Sequence, residues 1–313
     1  MTMNDFWKNK RVLVTGGAGF LGKAVVKKLL ERGVKEDGIF IPRSREYDLR
    51  EREAAKTVTQ NKDLVIHLAA TVGGIGFNKD NAGRVFYDNV MMAANLIHEA
   101  WLSSVEKFVG IGSIVEHPEF APVPFREEGL WDGYPDKINS SYALAKRFML
   151  AQSQFYRQQY GFNAIHLLSA NLYGPGDNLD PRFSYVIPAL IKKVADAKEE
   201  GKNYIEAWGT GGATREFLYV EDAAEGIVLA AEKYNGPEPI NLGSGTEISI
   251  RDLTDLICRL MNFNGEIRWD VSSPAGQPRR VLDITRAKEA FGFVAKTALE
   301  DGLRKTVDWY RGR

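Results

Sequence analysis

A glycine-rich segment directly after a short apolar run constrains this chain more than any other feature. Residues 12–15 read V-L-V-T, and glycines then follow at G-x-x-G-x-x-G spacing, ahead of a helical apolar pattern over residues 24–30. Glycines allow a tight turn and a close approach of the backbone to a pyrophosphate, while the start of the helix presents N–H groups. The order strand, turn, helix therefore predicts a dinucleotide-binding unit. Its predicted cofactor contacts are Gly16, Gly19, Phe20, Leu21 and Gly22.

Apolar runs and helical segments continue to alternate along the first half of the chain. Further runs lie at residues 38–42, 63–68, 107–112 and 164–169, with helical patterns such as 89–103 and 141–159 between them. This alternation is typical of βαβ units and predicts an α/β fold with a Rossmann-type, doubly wound parallel sheet.

The pattern changes after Asn171, where a turn-rich stretch, N-L-Y-G-P-G-D-N-L-D-P, precedes a predicted helix over 187–198. Later runs, E-F-L-Y-V-E-D and P-I-N-L-G-S-G, indicate sheet-edge strands that end in loops. We therefore expect two domains between which the chain crosses more than once. Residues 1–171 and about 216–255 would form the dinucleotide-binding domain, and about 172–215 and 256–313 a smaller α/β substrate-binding domain.

Composition excludes several classes of partner. Lys plus Arg and Asp plus Glu both number 41 in 313 residues, so no overall charge favours nucleic acid or an anionic membrane. The one cysteine, Cys258, lies in an apolar-periodic stretch and is interpreted as core packing, and no metal site is suggested. Neither a signal core nor a run of 18 uncharged apolar residues occurs, so we expect a soluble cytoplasmic protein.

The end of the second apolar run carries arginines rather than a carboxylate. A carboxylate there usually accepts the ribose 2′-hydroxyl of NAD, whereas Arg43 and Arg45 favour a 2′-phosphate through charge-assisted hydrogen bonds. NADP(H) is therefore the favoured cofactor, and NAD(H) stays open. The remaining predicted cofactor contacts lie beside the adenine and at the end of the third run: Asp48, Leu49, Ala69 and Ala70.

The segment S-S-Y-A-L-A-K places Tyr142 and Lys146 four residues apart, on one face of a helix. An ammonium near a phenol stabilises phenolate and would lower its pKa toward the working pH. The lysine can also reach the nicotinamide ribose. With Ser113 at the end of the fourth run, these residues predict an oxidoreductase site.

In these motifs the chain resembles the extended short-chain dehydrogenase/reductases, in particular the branch that contains the GDP-L-fucose synthases. The resemblance spans nearly the whole chain and includes G-G-A-G-F-L-G, A-A-T-V-G-G-I-G, S-Y-A-L-A-K, N-L-Y-G-P-G-D-N, V-I-P-A-L-I, W-G-T-G, R-E-F-L-Y-V-E-D and P-R-R-V-L-D. It implies that Ser113, Tyr142 and Lys146 form the catalytic triad. It also implies a homodimer built from the helices at 89–103 and 141–159. The implied nucleotide-sugar contacts are Ser113, Asn171, Tyr185, Val186, Trp208, Arg215 and Arg280.

Two positions depart from the fucose-synthase pattern. In that branch a cysteine two residues after the serine and a histidine before V-I-P-A-L epimerise C3 and C5 of the 4-keto sugar. Here those positions hold Val115 and Tyr185, and neither is a ready base at neutral pH. Glu116 and His117 could rescue proton transfer if they faced the sugar, although a solvated carboxylate and a partly exposed loop histidine are the preferred interpretations.

The resemblance thus implies an NADP(H)-dependent oxidoreductase acting at C4 of a nucleotide-linked, GDP-type 4-keto sugar without coupled epimerisation. A nucleotide-sugar 4-epimerase with bound NAD is the first alternative. A 3,5-epimerase/4-reductase with a rebuilt acid/base pair is the second. A non-catalytic cofactor-binding protein ranks last because all three catalytic positions are intact.

Overall fold

A parallel sheet covered by helices on both faces forms the larger part of the molecule, here a computed structural model that describes residues 6–180, 184–272 and 277–312. The strands are β1 Val12–Thr15, β2 Ile39–Phe40, β3 Leu64–His67, β4 Lys107–Ser113, β5 Ala164–Ser169, β6 Asn171–Tyr173, β7 Tyr204–Trp208, β8 Thr214–Tyr219, β9 Ile240–Leu242, β10 Glu247–Ser249, β11 Glu266–Asp270 and β12 Arg279–Arg280. The helices are α1 Phe20–Glu31, α2 Arg52–Thr59, α3 Ile75–Asp80, α4 Ala82–Leu102, α5 Ser140–Tyr160, α6 Val186–Glu199, α7 Val220–Lys233, α8 Ile250–Leu260, α9 Thr285–Phe291 and α10 Leu299–Arg311.

Alternate residues of the central strands enter two different hydrophobic cores. Val12 and Val14 of β1 pack in one core with α1 and α7, while Leu13 packs in the other with α2 and α4. A strand covered on both faces needs apolar residues at successive positions, and all four residues of β1 are buried. The continuous apolar runs of the sequence therefore predicted these strands correctly.

The order of the parallel strands locates the crevice in which a ligand can bind. Among the described residues the order is β2-β1-β3-β4-β5-β9. The chain therefore adds β2 on one side of β1 and then adds β3 and the later strands on the other side. In open α/β sheets, ligands bind beyond the carboxyl ends of the strands at such a reversal. The predicted doubly wound fold is confirmed, and its crevice lies between the ends of β1 and β3.

A smaller group of strands and helices carries the second set of motifs. Strand β8 pairs with β6, β10 and β12, and β7 pairs with β11. The prediction that E-F-L-Y-V-E-D forms a sheet-edge strand is wrong, because β8 has neighbours on both sides. The chain alternates between the two groups, since β9 returns to the large sheet after β8. The division into domains at the boundaries given above stays a prediction.

Two buried side chains, Cys258 and Lys107, contribute to packing. Cys258 packs inside α8 in the core of the smaller group, as expected. Lys107 begins β4, and its ammonium donates to the carbonyls of Ala230 at 3.1 Å and Ala231 at 2.6 Å, at the end of α7. The last carbonyls of a helix have few partners within it, so this lysine adds a donor at the end of α7 and joins α7 to the sheet. In the described part of the chain, no helix is both long enough and apolar enough to cross a bilayer.

Candidate functional site

The glycine turn after β1 closes tightly against the end of β3. Gly16 has φ +69°, and a Cβ there would lie 2.8 Å from the backbone nitrogen of Ala69. At Gly22 a Cβ would lie 2.1 Å from the carbonyl oxygen of Gly16. Side chains at these positions would push the turn away from β3 and α1 away from the turn, so the glycines give the close strand–turn–helix packing that a dinucleotide-binding turn requires.

The first residues of α1 present free backbone donors toward this turn. Gly19 is the N-cap and has no side chain to accept from them, while Phe20 and Leu21 open the helix. The first N–H groups of a helix have no partner within it and favour an anion. The predicted contacts of the turn therefore lie together at the β1/β3 crevice, with Ala69 and Ala70 directly after β3.

The predicted 2′-phosphate and adenine contacts occupy the loop after β2. Arg43 and Arg45 are both exposed, and Arg45 Nε lies 3.1 Å from Glu46 Oε1. Asp48 accepts from Arg50 Nε at 2.9 Å, an ion pair that lowers the pKa of the Asp48 carboxyl. Leu49 is buried. An exposed guanidinium beside the crevice is free to turn toward an anion at little cost.

Tyr142 and Lys146 lie in the first two turns of α5. Lys146 is 3 % exposed, and its Nζ lies 5.6 Å from the centre of the Tyr142 ring. Burial lowers the pKa of Lys146 to about 8. The expectation that the lysine lowers the pKa of the phenol is wrong for this structure: burial, then Tyr185 and the Glu116 carboxylate, raise the pKa of Tyr142. Loss of water around the buried phenol disfavours the charged phenolate, and this effect outweighs the nearby ammonium.

Ser113 ends β4, beside the amino end of a single 3₁₀ turn, Ile114–Glu116. Its hydroxyl oxygen accepts from Val115 N at 3.5 Å, so the hydroxyl proton remains available to another oxygen. Its backbone N–H donates to Glu116 Oε1 at 2.7 Å. Val115 is an apolar side chain packed against the core of the large sheet, in accord with the absence of a carbon base at this position.

Glu116 and His117 do not have the surroundings expected from the sequence. Glu116 is fully buried rather than solvated, and its Oε2 lies 3.0 Å from His166 Nε2. His117 is 2 % exposed, contacts Asn241 Oδ1 through Nε2 at 3.0 Å and stacks on Phe125. Burial lowers the pKa of His117 to about 4. The side chains point into the protein because the turn after Ser113 directs them between β5 and β9.

Two other histidines have structural partners. His67 Nδ1 lies 2.7 Å from Thr15 Oγ1 between β1 and β3, and His98 Nδ1 lies 2.8 Å from the Tyr156 hydroxyl between α4 and α5.

Three of the predicted nucleotide-sugar contacts lie on β8 and its neighbours β6 and β12. Arg280 pairs in register with Arg215, which brings two guanidinium groups together. Burial, then the Arg280 charge, lower the pKa of Arg215 to about 10, while Arg280 is held by Asp136 Oδ2 at 2.8 Å. Asn171 donates to the Glu216 carbonyl at 2.9 Å. Two adjacent cations that partly repel each other favour a polyvalent anion such as a diphosphate.

Three further predicted contacts, on β7 and at the start of α6, are exposed to solvent. Trp208 at the end of β7 is 59 % exposed, and Tyr185 and Val186 at the start of α6 are also exposed. Burial around the phenol and the Asp177 carboxylate nevertheless raise the pKa of Tyr185 to about 12.

Sequence reasoning missed two groups near the site. Asp177 is buried, and its Oδ2 has no hydrogen-bond partner within the described ranges; burial raises its pKa to about 6. The second is His166, whose contact with Glu116 under the serine was not foreseen. The sequence feature connected with this contact is the glycine at position 112. A Cβ there would lie 2.1 Å from Glu116 Oε1 and 2.4 Å from His166 Nε2. In the chain segments described here, no group of three His, Cys, Asp or Glu side chains could hold a metal ion.

Comparisons with known proteins find similar sequences and similar overall structures. Residues 12–243 match the NAD dependent epimerase/dehydratase family. The chain is 37 % identical over 311 residues to GDP-L-fucose synthase 1 of Arabidopsis thaliana, covering 99 % of this chain and 95 % of that one. A GDP-6-OMe-4-keto-L-xylo-heptose reductase from C. jejuni superimposes with a TM-score of 0.89 at 26 % identity, covering 97 % and 99 %. A GDP-mannoheptose C4 reductase from Campylobacter jejuni with NADP bound gives a TM-score of 0.86 at 26 % identity, covering 97 % and 98 %.

Proposed function

Since the chain belongs to the NAD-dependent epimerase/dehydratase family, we propose that it is an NADP(H)-dependent oxidoreductase that acts at C4 of a GDP-linked 4-keto sugar. The GDP-L-fucose synthase relative and the two GDP-sugar reductase structures support the substrate class. One of those structures holds NADP, which supports the cofactor together with Arg43 and Arg45.

The observation that carries reduction without epimerisation is the lack of a suitable carbon base. Val115 has no proton to exchange, and Tyr185, with a pKa raised to about 12, stays protonated at neutral pH. Glu116 and His117 are buried and already hold protein partners. These four groups are therefore neutral or turned into the protein, so none of them is a ready base for C3 or C5.

In the proposed reaction, bound NADPH supplies the hydride that reduces C4. Ser113 donates a hydrogen bond to the C4 oxygen, and Tyr142 donates its phenolic proton to the alkoxide that develops there. The raised pKa of Tyr142 keeps this phenol protonated at neutral pH, the form that reduction requires. Lys146 holds the nicotinamide ribose by hydrogen bonds and stabilises the charge left on Tyr142. Arg215 and Arg280 bind the diphosphate of the substrate.

A 4-epimerase must begin by oxidising C4, which needs a phenolate rather than a phenol. The raised pKa of Tyr142 opposes that first step, and the arginines after β2 oppose a tightly held NAD. The 3,5-epimerase/4-reductase alternative has one observation in its favour. Asp177, with a pKa raised to about 6, carries an unpartnered oxygen within the described ranges and acts electrostatically on Tyr185.

We also propose a homodimer formed through α4 and α5. These helices pack on each other and leave aromatic side chains exposed, among them Phe86, Tyr87, Phe148 and Phe155. Phe148 and Phe155 are seven residues apart and share one face of α5, so together they offer an apolar surface. A cytoplasmic location remains a prediction.

Incubation with NADPH and GDP-4-keto-6-deoxymannose in D₂O, followed by NMR, tests the proposed function. We expect oxidation of NADPH with hydrogen delivered to C4 and no deuterium at C3 or C5. Deuterium at C3 or C5 would favour the epimerising alternative, and the Asp177→Asn variant would then show whether Asp177 carries that exchange. Failure to oxidise NADPH with any GDP-linked 4-keto sugar would contradict the proposal.

A further inference from the structure

The carboxylate of Glu116 lies directly beneath the proposed catalytic serine and is completely shielded from solvent. It accepts the backbone N–H of Ser113 at 2.7 Å through Oε1, and Oε2 lies 3.0 Å from His166 Nε2 on β5. An ionised carboxylate can only accept hydrogen bonds, so the Nε2 of His166 carries the proton in this contact. Glu116 thereby joins the end of β4 to β5.

Glu116 is also joined to the helix that carries the other proposed catalytic residues. Arg147, which follows Lys146 on α5, donates through Nε to the Glu116 carbonyl oxygen at 2.7 Å and through Nη1 to Gly133 at 2.8 Å. The carboxylate and the carbonyl of one residue thus fix the serine loop against both β5 and α5. The relative placement of Ser113 and Tyr142 depends on these bonds.

The backbone beside this carboxylate leaves room for it and for little else. A Cβ at Gly112 would lie 2.1 Å from Glu116 Oε1 and 2.4 Å from His166 Nε2. The absence of a side chain at Gly112 is what lets the carboxylate and the imidazole meet under the loop.

The Glu116 charge changes the pKa values of nearby groups of the site. It raises the pKa values of Tyr142, Lys146 and Arg147, although burial outweighs it for Lys146 and Arg147. The titratable or charged groups that face it are His117 on its own loop, His166 on β5, and these three residues on α5.

We propose that Glu116 is a positioning residue, which holds Ser113 against α5 and β5 and supplies a fixed negative charge beneath the proton-donating pair. The proposal rests on the proposed function, because it assumes that Ser113 and Tyr142 act on the C4 oxygen. Glu116 does not touch the substrate. It acts through the backbone of Ser113 and through the field at Tyr142 and Lys146.

Two substitutions separate the hydrogen bonds from the charge. Glu116→Ala leaves the buried donors of Ser113 and His166 without an acceptor, so the loop should shift. We expect kcat to fall at least about tenfold while the Kd for NADPH stays within about twofold, since the glycine turn is untouched. Glu116→Gln can still accept from Ser113, and its amide can donate to the other tautomer of His166. We expect it to recover kcat to within about threefold of the parent protein at its optimal pH.

The Gln variant nevertheless lacks the charge, and that difference is visible in the pH profile. Loss of the carboxylate removes an effect that raises the pKa values of Tyr142 and Lys146, so the alkaline limb should move to lower pH by about 0.5 unit or more. Glu232→Gln is the matched control. Glu232 is a largely buried carboxylate near the end of α7 that accepts from Trp7 and Arg32. It lies near the start of β4 rather than near Ser113 at its end, so its loss should leave the alkaline limb in place.

The outcomes distinguish this proposal from the function on which it rests. Glu116 is not a positioning residue if Glu116→Ala retains kcat within about twofold of the parent protein. The same conclusion follows if the alkaline limb of the Glu116→Gln pH profile coincides with that of Glu232→Gln. Should the Ala variant fail to fold, the pH profile of the Gln variant still decides. Ser113→Ala and Tyr142→Phe measured alongside test the catalytic assignment, because retained turnover in both would remove these residues from the reaction whatever Glu116 does. Absence of turnover in the parent protein would instead contradict the proposed function.

Discussion

Among single residues, Tyr142 has the role that is most specific to reduction at a carbonyl carbon. Tyr142→Phe keeps the ring and removes the proton donor, so we expect kcat to fall at least about a hundredfold, the usual contribution of a general acid. Steady-state oxidation of NADPH measures the change. Tyr156→Phe on the same helix removes only the hydroxyl that contacts His98 and serves as the control. Turnover of Tyr142→Phe within about threefold of the parent protein would show that another group donates the proton.

The buried ammonium of Lys146 predicts the pH dependence. Its pKa is lowered by burial to about 8, so the group is charged below that pH and neutral above it. With NADPH as the varied substrate, kcat/KM reports the free enzyme and should be level near pH 7 and fall above about pH 8. Stopped-flow or steady-state rates across pH 6–9.5, with circular dichroism to verify folding, measure the profile. A level profile to pH 9.5 would contradict the assignment.

Arg43 and Arg45 are the proposed source of the cofactor preference. Replacing both by Ala should weaken NADPH binding at least about tenfold and leave NADH binding within about twofold, because only NADPH carries the 2′-phosphate. Fluorescence titration with each nucleotide measures both constants. The single variants show how the two share the role, since Arg45 also has Glu46 as a partner. Equal losses for NADPH and NADH would count against a 2′-phosphate contact.

At the scale of elements, the packing of α1 onto the glycine turn decides whether a dinucleotide can bind. In Gly22→Ala the added carbon would meet the Gly16 carbonyl at 2.1 Å, so the helix must move away from the turn. We expect NADPH binding to weaken at least about tenfold, because the first N–H groups of α1 would no longer point at the pyrophosphate. Gly83→Ala in α4 has open space around the added carbon and should bind NADPH as the parent protein does. Unchanged binding in Gly22→Ala would remove the turn from the cofactor site.

The elements were predictable to different degrees, for physical reasons. The apolar runs predicted β1, β3, β4 and β5 because both faces of those strands are buried. The spacing over residues 187–198 predicted α6, which spans Val186–Glu199, because one face of that helix packs in the smaller core. The prediction that β8 lies at a sheet edge was wrong because its neighbours β6, β10 and β12 come from distant parts of the chain.

At the scale of the whole molecule, the proposed dimer depends on apolar surface that one chain leaves exposed. Phe155 is 65 % exposed on α5, and a carboxylate there would be forced against the partner's apolar face. We expect Phe155→Glu to be monomeric in light scattering at concentrations at which the parent protein is dimeric. Phe120→Glu, at a 90 % exposed phenylalanine outside these helices, should remain dimeric. A monomeric parent protein would contradict the proposed homodimer.

The sequence by itself determined the class of fold, and it supplied the residues proposed for the site. Periodic apolar residues specify strands and helices locally, and the spacing of Gly16, Gly19 and Gly22, and of Tyr142 and Lys146, is local as well. Tertiary structure decided what those groups experience. Burial raises the pKa of Tyr142, and the fold turns Glu116 and His117 inward, where Glu116 meets His166. Desolvation and contacts between distant segments arise only when the chain packs, so no local pattern reveals them.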